Sequence, residues 1–367
     1  MKYLLTKVLR GAALAFALSS LGCDKSPTGP EPVKDPRTYT WTIDTLAYPG
    51  SFQTAMRDIW GSSPNDVYVV GHNDQNRGLM WHFDGSKWSP VRLSVTEGGS
   101  ISGAIDLGAV FGFAVNDVWI VGERLYDNAV PPPNFLDSSL IIHYDGVQWR
   151  EEKTEDGRYL QAIWGTSPRD LWTAGWTNRI HHYYNTTWVT DSFPVVIPTD
   201  AFFQAIALVG TSSGEIFAIG STGESSSVKT THYFFRRRSG NWSAVDSFVI
   251  QAGRIENKWG YADLWASSSG TLYSCGVGVH RWNGANWTML FDHPNFLSRL
   301  TGTSDRNIFV VGHFGTVLHY DGQDWYQFRQ FQDPNLVLWG VWTNGKEVMI
   351  VGHTASYPQV TTILHGK

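Results

Sequence analysis

The chain has 367 residues, of which 42% are hydrophobic, 14% aromatic and 17% charged, with 37 glycines and 18 tryptophans. So many apolar residues and so few charges exclude an intrinsically disordered chain and a coiled coil. The net charge is -5, and because the one basic cluster is Arg236, Arg237 and Arg238, we expect no nucleic-acid partner.

Residues 1–22 have the composition of a signal peptide. Three basic residues precede an Ala- and Leu-rich stretch that is too short to span a bilayer. The stretch ends in SSLGC, which resembles the bacterial lipobox, with Ser20 where that motif usually has leucine. The resemblance implies lipidation of Cys23 and a stable membrane anchor of several acyl chains. It also implies a bacterial cell envelope protein. We favour the outer membrane or cell surface over the inner membrane, and the inner membrane is the alternative because Asp24 resembles the retention signal of some enteric bacteria. The alternative is an ordinary cleaved signal.

Residues 23–38 contain four prolines and show no hydrophobic period. We expect this segment to be a semi-extended tether between the lipidated Cys23 and a domain. The other cysteine is Cys275, so the domain can form no internal disulfide. Because Cys275 lies in an apolar run, we expect it to be buried.

One motif recurs seven times in the rest of the chain. Its copies are IWGSSPNDVYVVG (59–71), VFGFAVNDVWIVG (110–122), IWGTSPRDLWTAG (163–175), LVGTSSGEIFAIG (208–220), LWASSSGTLYSCG (264–276), LTGTSDRNIFVVG (300–312) and VWTNGKEVMIVG (341–352). Each copy is followed by a second unit, and in three of the seven, such as LIIHYDGVQW, Asp-Gly separates two aromatic stretches. Runs of β-branched and aromatic residues predict strands, and Asp-Gly predicts a hairpin. Each repeat therefore predicts four strands, called here a, b, c and d.

A four-stranded sheet cannot bury both of its faces alone, but seven sheets around an axis cover one another. The seventh repeat lacks strand d, and YTWTIDTL (39–46) has the pattern of the missing strand. We therefore predict an all-β fold, a seven-bladed β-propeller over residues 39–367. The N-terminal strand should pair into the last blade and close the ring.

The DGxxW turn before strand d resembles the Asp-box hairpin of neuraminidase-type repeats, with tighter spacing and without the leading serine. The whole repeat resembles that of secreted bacterial propellers and, more loosely, of photosystem-assembly-factor propellers and tectonin lectins. The resemblance implies the fold and no particular activity.

We expect most of the repeated aromatic residues to lie in the core and the repeated histidines to hold neighbouring strands together. Five tryptophans lie outside the repeated positions on strands a, b and d and are possible contact residues: Trp81, Trp176, Trp259, Trp282 and Trp339. Histidines recur six residues before the strand d tryptophan, at positions such as His82, His143 and His182. We expect them to bond to the acidic residues that begin strand b, Asp66, Asp117 and Asp170, because no local spacing brings metal ligands together.

In a propeller the b–c and d–a loops lie on one face, and in this chain they vary greatly in length. We call this face the variable face, and because variable loops on a rigid scaffold form binding sites, we expect the function there. The residue after each strand b glycine begins a b–c loop. The candidate ligand-binding residues at this position are His72, Glu123, Trp176, His313 and His353. The alternative interpretation is that these are partly solvated loop residues.

The sequence contains no P-loop and no HExxH motif. We therefore predict no catalytic residue, cofactor or metal ion, and favour a non-catalytic propeller that binds or scaffolds a protein partner. One alternative is a carbohydrate-binding lectin, which predicts equivalent pockets with exposed tryptophans in successive blades. A second is a glycoside hydrolase, which predicts carboxylates gathered at the central mouth.

Overall fold

The structure is a computed structural model that describes residues 34–131, 134–152, 157–224, 229–251, 254–255 and 257–367. The predicted signal peptide, Cys23 and the tether up to residue 33 lie outside these residues. The described residues contain strands and three short 3-10 turns, Pro36–Thr38, Val95–Glu97 and Arg329–Phe331, but no α-helix. Within these ranges no helix is long and apolar enough to cross a membrane.

In the described part of the chain the strands form seven antiparallel sheets, as predicted. The N-terminal strand is β1 (Trp41–Leu46). Blade 1 contains β2 (Thr54–Ser63), β3 (Asp66–Asn73), β4 (Met80–Phe83) and β5 (Trp88–Pro90). Blade 2 contains β6 (Ala104–Ala114), β7 (Asp117–Asp127), β8 (Phe135–Tyr144) and β9 (Trp149–Glu152). Blade 3 contains β10 (Leu160–Ser167), β11 (Asp170–Gly175), β12 (Thr177–Tyr184) and β13 (Thr187–Ser192).

The fourth blade has a fifth, outer strand that the repeat pattern does not predict. Blade 4 contains β14 (Ala201–Gly210), β15 (Ile216–Glu224), β16 (Lys229–Arg238), β17 (Asn241–Gln251) and β18 (Arg254–Ile255). Blade 5 contains β19 (Asp263–Ala266), β20 (Leu272–Gly276), β21 (Gly278–Trp282) and β22 (Trp287–Phe291). Blade 6 contains β23 (Leu297–Ser304), β24 (Asn307–Gly312), β25 (Thr316–Tyr320) and β26 (Trp325–Gln327). Blade 7 contains β27 (Leu336–Thr343), β28 (Val348–Thr354) and β29 (Thr361–Gly366).

The N-terminal strand completes blade 7, in the order β1-β29-β28-β27. Trp41 is opposite Gly366, and Ile43 is opposite Leu364. The first strands of the blades also contact one another in a closed cycle, from β2 through β6, β10, β14, β19, β23 and β27 back to β2. The predicted closed ring is therefore confirmed.

The blades are held together by hydrophobic clusters between neighbours. Within the described residues there are seven such clusters, one at each junction of consecutive blades. Cys275 is fully buried in the cluster between blades 5 and 6. Burial of both faces of each sheet thus comes from its two neighbours, which is why the fold needs the complete ring.

The repeated histidines have the predicted structural role. His82, His143 and His182 lie 2.7, 2.8 and 2.7 Å from the carboxylates of Asp66, Asp117 and Asp170. In blade 3 the indole of Trp172 stacks on His182 at 3.6 Å between ring centroids and donates to Asp170. These side chains fasten strand b to strand c.

Residues 34–38, the end of the predicted tether, belong to the same compact unit as the blades. Arg37 forms an ion pair with Asp321 at 3.1 Å and another with Asp324, both in the c–d turn of blade 6. These ion pairs attach Arg37 to blade 6.

Candidate functional site

A β-bulge recurs at one position of the innermost strands. In blade 3, Leu160 pairs with Gly175 and Ala162 with Ala174, so that Gln161 has no residue opposite it. Among the described strands, six of the seven innermost ones share this bulge, at Arg57, Gly108, Gln161, Ile206, Ser298 and Trp339. A bulge of this kind redirects a side chain out of the alternating pattern.

The glycine that ends strand b is required by the same geometry. A Cβ atom on Gly175 would lie 1.9 Å from the backbone oxygen of Tyr159, and one on Gly122 would lie 2.0 Å from that of Asp106. No other residue permits so close a backbone approach. The recurring glycine therefore accompanies the bulge in six of the described blades, whereas blade 5 has the glycine, Gly276, without the bulge.

The bulge residues line a cavity of about 870 Å³, called here the mouth cavity. The other lining residues are Tyr159, Trp176, Gln204, Ser221, Thr230, His232, Ile250, Tyr261, Ala262, Phe296, Arg299 and His353. Trp176, Ser221 and His353 directly follow strand b glycines, which places the cavity on the variable face. Its volume lies within the range of cavities that enclose small ligands or single side chains.

Three charged side chains close the bottom of the mouth cavity. The Arg299 guanidinium lies 3.0 Å from Asp58 and 3.5 Å from Asp263. The other carboxylate oxygens accept backbone hydrogen bonds from Val110 at 2.9 Å and Leu300 at 3.0 Å. Burial raises the pKa of Asp58, and raises that of Asp263 to about 6, although the Arg299 charge opposes both shifts. These groups satisfy one another and therefore form a structural plug.

Our sequence analysis did not select these three residues. They occupy the position just before the hydrophobic-Trp-Gly motif, where the other four blades have only Ala or Gly, at Ala109, Ala162, Ala207 and Gly340. The sequence feature that could have identified them is a charged residue at a position where the other blades have Ala or Gly.

Aromatic rings cover one half of the mouth, from blade 4 to blade 7. We call this set the aromatic arc: His232, Tyr261, Phe296, His313, Trp339 and His353. Successive ring centroids are 4.3, 5.7, 5.3, 5.5 and 6.2 Å apart. The Trp339 indole donates to His353 Nε2 at 2.9 Å. These distances lie within or near the range of favourable aromatic contacts, so the arc is a preformed apolar wall.

The opposite half of the mouth is more polar. The Gln161 carboxamide donates to the Ala205 carbonyl at 2.8 Å and accepts from the Trp176 indole at 3.1 Å. Trp176 is 43% exposed, and its ring is nearly parallel to that of Phe202, which is 44% exposed. The bulge residue Gln161 thus holds an exposed aromatic pair at the edge of the cavity.

Beside the mouth cavity lies a second group of titratable residues, called here the acidic cluster: Arg57, His72, Asp106, Glu123 and Tyr159. His72 Nδ1 is 2.9 Å from one oxygen of Asp106, and the Arg57 guanidinium is 3.9 Å from the other. Asp106 and Glu123 are directly opposite each other on neighbouring strands. Burial, followed by the charges of Asp106 and Asp137, raises the pKa of Glu123 to about 7.

The five predicted site residues lie in two places. Trp176 and His353 line the mouth cavity, and His313 contacts it through the ring of Trp339. His72 and Glu123 belong to the acidic cluster. Nothing in the described ranges arranges three or more His, Cys, Asp or Glu side chains to hold a metal ion.

The five tryptophans that we predicted as possible contact residues lie in two kinds of place, the mouth cavity and the core. Trp176 and Trp339 line the mouth cavity. Trp81, Trp259 and Trp282 are buried, at 8%, 0% and 8% exposure. The last three are therefore core residues and not contact residues.

Comparison with known protein families and with curated proteins finds no match to this chain. Two solved structures similar to it are propellers. One, described as YCF48 bound to D1 peptide, has a TM-score of 0.59 and 16% sequence identity, covering 89% of this chain and 94% of its own. Another, the WD40 β-propeller domain of Doa1, has a TM-score of 0.53 and 11% identity, covering 88% and 96%. These similarities establish the propeller fold; the Asp-box resemblance is not confirmed by them.

Proposed function

We propose that this chain is a non-catalytic propeller that binds or scaffolds a protein partner, and that it holds a peptide segment of that partner at the mouth cavity. The observation that carries the proposal is a cavity on a face that also has many exposed apolar side chains. They include Phe52, Tyr126, Val130, Trp176, Phe202, Phe314 and Tyr357, each more than 40% exposed. Trp176 lines the cavity, and Phe202 stacks on it. Exposed apolar groups on the same face as a cavity mark an interaction surface.

Two further observations support a protein partner. A propeller of similar fold has been solved with a peptide bound, as its description states. The bulge residues of the present chain differ in chemistry from blade to blade, from Arg57 to Gly108 to Trp339. A ring of unlike residues fits one asymmetric ligand. It does not supply the equivalent sites in successive blades that a lectin would have.

We also propose that Cys23 is lipidated and anchors the propeller to the bacterial envelope, at the outer membrane or cell surface. The support is the lipobox-like SSLGC ahead of a proline-rich segment. Replacing Cys23 by alanine should release the protein from the membrane fraction. Unchanged fractionation would contradict the proposal.

A crosslinking pull-down with protein that begins at Lys34 tests partner binding, run beside a glycan array. Trp176→Ala should abolish capture of the partner. The matched control is Tyr184→Ala, because Tyr184 is a 57% exposed aromatic residue at a c–d turn on the opposite face. Glycan binding without protein capture, or equal capture by both variants, would refute the proposal.

A second candidate function is hydrolysis of a glycoside. The specific observation in its favour is the carboxyl pair Asp106 and Glu123, in which Glu123 has the raised pKa of a general acid. Neither residue lines the mouth cavity, so we rank partner binding above glycoside hydrolysis as the function. Turnover of nitrophenyl glycosides that Glu123→Gln abolishes would favour this function instead.

A further inference from the structure

In the described part of the chain, the aromatic arc and the bulge residue Ser298 beside it contain buried polar atoms without hydrogen-bond partners. Ser298 Oγ, His232 Nδ1 and His313 Nε2 are buried and have no hydrogen-bond partner among the described residues. Ser298 and His232 also line the mouth cavity, with 8% and 5% of their surface exposed. A buried polar group without a partner is costly, so a ligand that supplies one gains affinity.

The arc is also uncharged at neutral pH. Burial lowers the pKa of His232 to about 4 and lowers those of His313 and His353. Of the charged residues that line the described cavity, Arg299 is paired with Asp58 and Asp263, whereas Arg57 lies at the blade 1 side. The Arg57 charge acts on His353, at the blade 7 end of the arc. A charged group placed against His232, at the blade 4 end, would lose its hydration without gaining a counter-charge.

The rings define the shape of the group that fits. His232 packs between Phe248 and Tyr261, at 5.0 and 4.3 Å between centroids, and Tyr261 continues to Phe296. Stacked and edge-on ring contacts favour another flat aromatic group over an aliphatic one. The exposed apolar residues of the variable face favour a protein partner over a sugar as the source of this group.

We infer that the aromatic arc receives an uncharged aromatic side chain of the partner, one that carries a hydrogen-bonding group, and that Ser298 and His232 bond to that group. The inference rests on the proposed function, because it names the residue type by which the partner is held. Tyrosine is the simplest side chain with both properties. Phenylalanine has the ring without the hydroxyl and leaves the two polar residues unpaired.

Blocked heptapeptides of the form acetyl-Gly-Ser-Gly-X-Gly-Ser-Gly-amide test this, with X as Tyr, Phe, Leu or Lys. Binding is measured by saturation-transfer difference NMR. The Tyr peptide should bind about five- to tenfold more tightly than the Phe peptide, because the missing hydroxyl leaves buried groups unsatisfied. The Leu and Lys peptides should bind more weakly than Phe.

Two variants test the assignment of the polar residues. Ser298→Ala and His232→Phe should each bring the Tyr and Phe affinities to within twofold while keeping Phe binding. Ser192→Ala, an exposed residue of β13, should preserve the difference. Thermal unfolding shows that each variant is folded, and one variant that is folded suffices for the test.

Failure of the Tyr peptide to bind, an unchanged Tyr preference in a folded variant, or binding of methyl glucoside in its place would overturn the inference. The pull-down with Trp176→Ala separates this failure from that of the proposed function. If wild-type protein still captures its partner and Trp176→Ala does not, the residue type is wrong and the proposed function stands.

Discussion

Arg299 on blade 6 and Asp58 on blade 1 are 241 residues apart in sequence, and their side chains are joined by a 3.0 Å hydrogen bond across the first strands of the propeller. Because Arg299 also pairs with Asp263 on blade 5, one guanidinium connects three blades. The bottom of the mouth cavity is therefore fixed by charge and not by apolar packing.

Replacing Arg299 by leucine should destabilise the fold by about 3–5 kcal/mol at pH 8, because two buried carboxylates lose their cation. The pKa of Asp263, already about 6 beside Arg299, should rise further in the variant. A carboxyl whose pKa is higher in the folded than in the unfolded state favours folding at low pH. The loss in free energy of unfolding caused by Arg299→Leu should therefore be smaller at pH 5 than at pH 8. Urea denaturation at both pH values measures this.

The control for that experiment is Arg150→Leu, which removes an ion pair with Asp145 from a half-exposed side chain. Such a pair contributes less than about 1 kcal/mol. An equal decrease in the free energy of unfolding in the two variants would show that the Arg299 network has no special stabilising role.

Glu123 should make stability depend on pH. Its pKa is about 7 in the folded protein and lower in the unfolded chain, so the folded state binds the extra proton between about pH 4.5 and 7. Stability from this group is present below that range and is lost as the pH rises through it. Glu123→Gln cannot lose a proton and should be more stable than wild type above pH 7, by about 1 kcal/mol after solvent screening.

The measurement is a series of thermal or urea unfolding curves from pH 4 to 9. Asp127→Asn changes an exposed carboxyl on the same hairpin and should stay within about 0.5 kcal/mol of wild type throughout. A Glu123→Gln curve parallel to that of wild type would contradict the raised pKa.

Much of the fold could be predicted from the sequence, because the repeat fixes the strand number and each blade needs its neighbours for burial. The count of seven, the pairing of Trp41 into the last blade and the His182–Asp170 contact are all confirmed. The extra strand β18 was not predicted, since it belongs to one blade and leaves no trace in the repeat.

The site was harder to predict, because a bulge shifts the direction of a side chain by one residue. Counting from the strand b glycine selected Trp176 and His353, which do line the mouth cavity. It missed Gln161 and Ser298, which a regular strand would not direct toward the mouth. The contact between Arg299 and Asp58 depends on closure of the ring, which local patterns do not measure.

Gly175→Ala should strongly destabilise the protein, because the new Cβ would lie 1.9 Å from the Tyr159 carbonyl oxygen. We expect a loss of more than about 3 kcal/mol, together with displacement of Gln161. Gly284→Ala is the comparison: it has the same size change and a positive φ, but open space around it, and should cost about 1 kcal/mol. If urea titrations showed a similar decrease in the free energy of unfolding for Gly175→Ala and Gly284→Ala, the bulge would not require glycine at position 175.

Removing the N-terminal strand should open the ring. Protein that begins at Ala47 lacks β1, and therefore the Trp41 contacts with Phe328 and Phe331 at 5.2 and 4.8 Å. It also leaves the edge of β29 unpaired, which favours aggregation. We expect a lower unfolding temperature and oligomers in size-exclusion chromatography. Protein beginning at Lys34 should stay monomeric at the same concentration, and identical behaviour of the two proteins would contradict closure by β1.

Site-directed photo-crosslinking in intact cells tests most directly whether the variable face holds a protein partner. p-Benzoylphenylalanine is placed at Phe202, whose ring stacks on Trp176 at the edge of the mouth cavity, and in a separate protein at Tyr184, on the opposite face. We predict a covalent adduct of one discrete mass from position 202, lost when Trp176 is also replaced by alanine, and none from position 184. Equal adducts from both positions, or none from position 202, would contradict the assignment of the mouth cavity as the binding site.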